Sequence, residues 1–124
     1  MASNSEAAAP WPTELRLNPE RDVLTVAFDG GERFELRAEY LRVESPSAEV
    51  QGHGPLERQF VPGKRHVKIM RLEPVGHYAV RIVFDDFHDS GLFTWSYLLE
   101  LGRHHGDKWP AYLGGLLAKG LKRE

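Results

Sequence analysis

The stretch from Val23 to Arg37 constrains the fold most. Val23-Leu24-Thr25-Val26-Ala27-Phe28 and Arg33-Phe34-Glu35-Leu36-Arg37 flank Asp29-Gly30-Gly31-Glu32. Glycine beside aspartate supplies the positive φ angles of a tight reversal, so the two runs pair as an antiparallel β-hairpin. Upstream, Thr13-Glu14-Leu15-Arg16-Leu17 alternates polar and apolar, as a half-buried strand does, and Asn18 to Asp22 is a turn. Downstream, Val67 to Leu72 alternates again and Pro74-Val75-Gly76-His77 turns the chain. Tyr78 to Phe84 is the strongest strand pattern, with large apolar or aromatic residues at 78, 80, 82 and 84. Asp85 to Gly91 reads as a polar turn.

Between these strand groups, Ala38 to Val43 carries good helix formers and predicts a short helix that ends before Ser45-Pro46, where proline disfavours helical geometry in the preceding residue. Pro55 and Pro62, with Gly52, Gly54 and Gly63, keep the long segment that follows irregular. Loops of that length in a small domain are often functional. Near the end, Trp95, Leu98 and Leu99 take helical spacing, with Gly102 as the expected stop. Asp107 is the expected cap of a last helix with the stripe Trp109, Tyr112, Leu113, Leu116 and Leu117. The order of elements predicts an α+β fold with a largely antiparallel sheet. Residues 1–10 read as a disordered leader and 11–124 as one domain, of which 103–124 form a C-terminal helical extension.

Composition narrows the function. The 124 residues carry a net charge of −2, which gives no overall field to recruit nucleic acid or an anionic membrane. No apolar run approaches the roughly 18 residues of a membrane span, and no secretory signal pattern stands at the N-terminus. A cytoplasmic setting follows as the expectation. The absence of cysteine excludes disulfides, thiolate metal sites and thiol catalysis. No Gly-x-Ser-x-Gly elbow accompanies Ser45 or Ser47, so a serine hydrolase is not expected.

The segments Leu41-Arg42, Ser45-Pro46-Ser47-Ala48, Val75-Gly76-His77-Tyr78 and Asp86 to Trp95, together with Trp11-Pro12 and the Asp29-Gly30 hairpin, carry a further reading. In their order and spacing the chain resembles the N-terminal domain of gamma-butyrobetaine hydroxylase, which also occurs as a stand-alone bacterial protein of unknown function. In the hydroxylase this domain is not catalytic. It holds a structural zinc with a Cys-Pro-Cys-x-x-Cys cluster and a distant histidine. The resemblance puts the cysteine positions on Ser45, Ser47 and Val50 and the histidine on His88. Hydroxyls are poor zinc ligands beside thiolate or imidazole, and valine has no donor. The resemblance thus implies the fold and, with these residues, a lost zinc site. The domain's appearance beside oxygenases and iron–sulfur carriers in that family implies an assisting or docking role.

These readings converge on a non-enzymatic accessory module that binds a protein partner, with no cofactor. The candidate binding residues are Ser45 and Ser47, whose hydroxyls line a groove, and Arg58 and Lys64 of the basic loop. Nucleic acid is not expected, because that segment lacks interleaved aromatics for base stacking. The alternative is a metal-binding protein that holds iron or zinc with His88 and the aspartates Asp85, Asp86 and Asp89.

Overall fold

A computed structural model describes residues 10–47, 50 and 58–124. Strands β1 (Pro12–Leu17), β2 (Val23–Phe28) and β3 (Arg33–Arg37) form one antiparallel sheet in the order β1-β2-β3. Helix α1 (Ala38–Val43) follows directly. Strands β4 (Ile69–Val75), β5 (Ala79–Phe84) and β6 (Leu92–Thr94) form a second antiparallel sheet with β5 in the centre. Helices α2 (Trp95–Arg103) and α3 (His105–Ala118) complete the described fold. The expected α+β class with antiparallel pairing holds, with the strands divided between two small sheets. The leader expected over 1–10 lies, Pro10 apart, outside the described residues, as do Ala48 and the glycines and proline at 52, 54 and 55.

Both sheets contribute to one core. The period-two alternation of β2 sends Leu24, Val26 and Phe28 inward, where they meet Ile69, Val80, Ile82, Phe84 and Phe93 of the second sheet. The sheets are also tied through backbone. Arg21, at φ 64, accepts a 2.8 Å hydrogen bond from the Ile69 amide, and its guanidinium donates to the carbonyls of Ile69 and Met70. Asn18 holds that turn closed by accepting from the amides of Asp22 and Val23 at 2.9 and 3.0 Å.

Several expected boundaries move for physical reasons. β4 runs on through Pro74, opposite Val80, because it is an edge strand and needs no outward amide there. Tyr78 leaves the strand and is half exposed. The short strand β6 has no alternation long enough to detect. Gly102 does not stop α2; it lies within it, because the Phe34 ring presses on the helix where any side chain would stand. Asp107 does not cap α3. It sits in the first turn behind His104, where its charge favours the positive end of the helix. The cap that does form is Thr94 Oγ1, which accepts from the Tyr97 amide at 3.1 Å and starts α2.

Helix α1 is wholly buried and sits at the hub of the packing. The Tyr40 hydroxyl donates to the Leu101 carbonyl at 2.6 Å, fixing α1 to α2. Val43 packs with Tyr112 and Leu116 of α3. Of the expected α3 stripe, Leu113 and Leu117 instead face solvent. Past α3, Gly120 at φ 66 reverses the chain, with the Leu121 amide bonded to Leu116 and the Gly120 amide to Leu117. That return lets Arg123 make a two-pronged pair with Glu39 at 2.7 and 2.8 Å.

Alanine at position 102 would bring its Cβ to 2.4 Å from the Phe34 ring. Gly102→Ala is therefore expected to lose about 1–3 kcal/mol through overpacking, despite the roughly 1 kcal/mol that alanine gains in helix propensity. Urea unfolding measures the balance, and a stabilised variant would contradict the packing described.

Candidate functional site

The end of α1 and the β5–β6 turn meet at the positions singled out from sequence. Pro46 ends α1 and leaves Ser45 and Ser47 buried behind it. The Ser45 hydroxyl lies 2.9 Å from His88 Nε2, with Ser45 completely buried and His88 nearly so. The Ser47 amide points at the same hydroxyl at 3.4 Å. Gly91 closes the other side: a Cβ there would stand 2.5 Å from Ser45 Oγ and 3.0 Å from the Phe93 ring. Only glycine lets the two segments approach this closely. Val50 is also fully buried; its amide donates to the Ser47 carbonyl at 3.1 Å and its carbonyl accepts from the Gln59 amide at 2.7 Å. Ser47 Oγ is buried without a hydrogen-bond partner among the described residues.

Beside this junction lies a charged cluster that the sequence did not announce. The Asp86 carboxylate accepts from Arg42 Nε at 2.8 Å, from Lys64 Nζ at 2.6 Å and from the His88 amide at 3.1 Å. Burial alone would push the Asp86 carboxyl up. The bonds from Lys64, the His88 amide and Arg42 outweigh it and hold the group down to about 2. Glu44, almost fully buried, receives Arg58 at 3.0 Å, and its backbone carbonyl receives the Tyr97 hydroxyl at 2.6 Å. Arg58 and Lys64, expected as docking charges, are thus each engaged with a carboxylate inside the fold. No periodicity marks Asp86 or Glu44 as their partners, since only the folded chain juxtaposes residues so far apart in sequence.

Asp85 to Ser90 forms the expected polar turn, with one anomaly at its tip. Phe87 adopts φ 69 and is 84% exposed. A left-handed conformation costs an ordinary L-residue roughly 1–2 kcal/mol, and a bulky ring there is uncommon. The turn closes with the Phe87 amide bonded to the Phe84 carbonyl and the Phe84 amide bonded to the His88 carbonyl, both at 3.0 Å. This is the bulged reversal whose left-handed position is usually glycine. A cleft of about 320 Å³, almost wholly polar, lies between Phe87 and the Lys64–Asp86 pair.

The four positions assigned to metal ligands by resemblance therefore offer two hydroxyls, one imidazole and an isopropyl group. That donor set does not suit zinc, which takes thiolate, imidazole or carboxylate. For the iron or zinc alternative built on His88 and its neighbouring aspartates, no group of three His, Cys, Asp or Glu side chains able to hold a metal ion occurs among the described residues. Asp86 is turned to Arg42 and Lys64, and Asp85 Oδ1 accepts from the Lys68 amide at 3.0 Å. No helix of the described residues is long and apolar enough to cross a membrane.

An α+β domain built on two three-stranded sheets, with a closed hydroxyl–imidazole junction behind its first helix, defines the class of protein. The chain belongs to the gamma-butyrobetaine hydroxylase-like, N-terminal family, whose pattern matches residues 15–99. It resembles two proteins with solution NMR structures: one at 44% identity and a TM-score of 0.81, over 100% of this chain and 91% of the other, and one at 43% identity and 0.79, over 93% and 90%. It is also similar, at 41% identity and a TM-score of 0.62, to a crystal structure from Acidithiobacillus ferrooxidans of a protein of unknown function in the DUF971 family; the match covers 73% of this chain and 91% of that one. No curated protein matches.

Replacing Asp86 by asparagine removes the carboxylate that both Arg42, nearly buried, and Lys64 bind. Asp86→Asn is expected to cost about 2–4 kcal/mol, somewhat under the full penalty for breaking a buried pair because the carboxylate keeps some contact with water. The folded carboxyl titrates below its ordinary value of 3.8, so its ionised form stabilises the fold. That contribution is complete above the ordinary value and is lost as pH falls through about 2. Acid titrations of unfolding free energy should show this slope in the natural protein and a flatter one in Asp86→Asn.

Proposed function

We propose that this chain is a non-enzymatic accessory module that docks on a protein partner, in which hydrogen bonding and packing have replaced the family's zinc. The observation that carries the reading is the Ser45–His88 hydrogen bond, buried at the position where the family resemblance places cysteine and histidine ligands. A buried hydroxyl and imidazole, brought close by Gly91, can hold two segments together. The neighbouring pairs Arg42–Asp86 and Arg58–Glu44 act in the same sense: they fix geometry and present no free nucleophile or base. The reading includes a cytoplasmic setting and a partner that is protein, not nucleic acid.

Metal analysis of untagged protein, offered zinc and ferrous iron, tests the replacement. The expected result is no stoichiometric metal and an unfolding midpoint indifferent to chelator. Ser45→Cys, Ser47→Cys and Val50→Cys introduced together should create stoichiometric zinc binding that depends on His88. Metal retained by the natural protein and lost in His88→Ala would sink the replacement and restore the metal-binding alternative.

Docking has its own measurement. In native extracts of its source the chain should migrate in an assembly well above its own 14.1 kDa. Migration as a free monomer under gentle conditions would count against an accessory role.

A further inference from the structure

We infer that Phe87 is the anchor by which this module docks, and that the partner surface is an apolar pocket rimmed by lysine or arginine. The inference rests on the accessory reading and goes further by naming the contact and its chemistry. Two costs meet at this residue. Its backbone is held in the left-handed region, at φ 69, and its ring is 84% exposed. Glycine or asparagine would meet the demand of the turn with less strain. The turn's hydrogen bonds hold the backbone in place, but the core does not use the ring. An aromatic held out rigidly on a short, hydrogen-bonded turn has the form of an interface anchor, since little freedom is lost when it enters a pocket.

Charge defines the rim of that pocket. Asp85 and Asp89, both exposed, stand two residues to either side of Phe87. Asp86, between them, is turned inward to Arg42 and Lys64 and neutralised. The ring therefore stands between two exposed aspartates, Asp85 with one oxygen on the Lys68 amide, and meets a basic rim favourably, whereas an acidic rim would be repelled. Among the described residues, Leu117 is nearly as exposed, at 82%, but it sits in regular helix without strain, and nothing in the structure shows what covers it.

The test places the photoreactive phenylalanine analogue p-benzoylphenylalanine at position 87, and separately at position 117, in the full chain expressed in its native cells. The expected outcome is a discrete cross-linked protein from position 87 and none from 117. That protein, purified, should bind the natural chain, bind Phe87→Asn at least tenfold more weakly, and bind Asp89→Lys more weakly with a reduced dependence on salt. Phe87→Gly, free of partner questions, should unfold at a temperature equal to or above that of the natural protein, because it relieves strain and exposes nothing new. A lowered midpoint in Phe87→Gly would assign the ring to the fold and overturn the inference. Cross-links from 117 and not from 87 would overturn it and leave the accessory reading standing. No cross-link from either position would count against both. A cross-link at 87 to a second copy of this chain, or to nucleic acid, would also overturn it.

Discussion

The structure depends on the burial of α1, a helix too short to be stable alone. Each of its polar side chains goes inside with a partner from a distant segment: Glu39 with Arg123 of the tail, Tyr40 with the Leu101 carbonyl, Arg42 with Asp86. Glu44, one residue further, takes Arg58. Burying charge is costly unless it is paired and hydrogen-bonded, so these contacts mainly decide which arrangement is allowed. A hydrophobic helix of the same length would pack against many surfaces. This one fits only where the tail, the β5–β6 turn, α2 and the long loop all present the matching group.

On the proposed reading, that demand explains how the family's metal position can change chemistry without loss of the fold. A structural zinc joins segments by bonds to a single point. Here the same segments are drawn together by several weaker contacts: Ser45 to His88, Asp86 to Arg42 and Lys64, and the close approach that Gly91 allows. Each is modest, of the order of 1 kcal/mol for a neutral hydrogen bond and more where a charge is involved. Together with a core that spans both sheets they suffice on physical grounds. On the proposed reading, the junction has changed from a metal-bound point to a distributed contact.

How much of this was legible follows from the range of each interaction. The Asp29-Gly30 hairpin, the helix at 38–43 and the class of the fold rest on local turn chemistry and periodicity, and these emerged from the residues. The β4 boundary and the end of α2 did not, because Pro74 is excused by an edge that only the sheet order reveals and Gly102 by the Phe34 ring. Within the site, the Ser45–His88 approach was readable only through family resemblance. Arg58 and Lys64 looked like free surface charge because their carboxylate partners are distant in sequence. Phe87 looked like an ordinary turn residue, since its left-handed backbone carries no mark that one sequence can show.

Several departures from local rules gather in one place. Arg42, Ser45, Lys64, Asp86, Phe87, His88 and Gly91 all lie where the end of α1 faces the β5–β6 turn. Natural sequences break such rules mainly where the fold must do something beyond folding. The inner half of this region, with its paired charges and buried hydroxyl, serves to hold the turn still. A rigid turn is what makes a strained, outward aromatic useful, because a mobile one would relax into water or back onto the surface and lose its fixed direction. The two halves therefore have one consequence: the contacts that, on the proposed reading, stand in place of a metal also supply the stiffness that keeps Phe87 exposed.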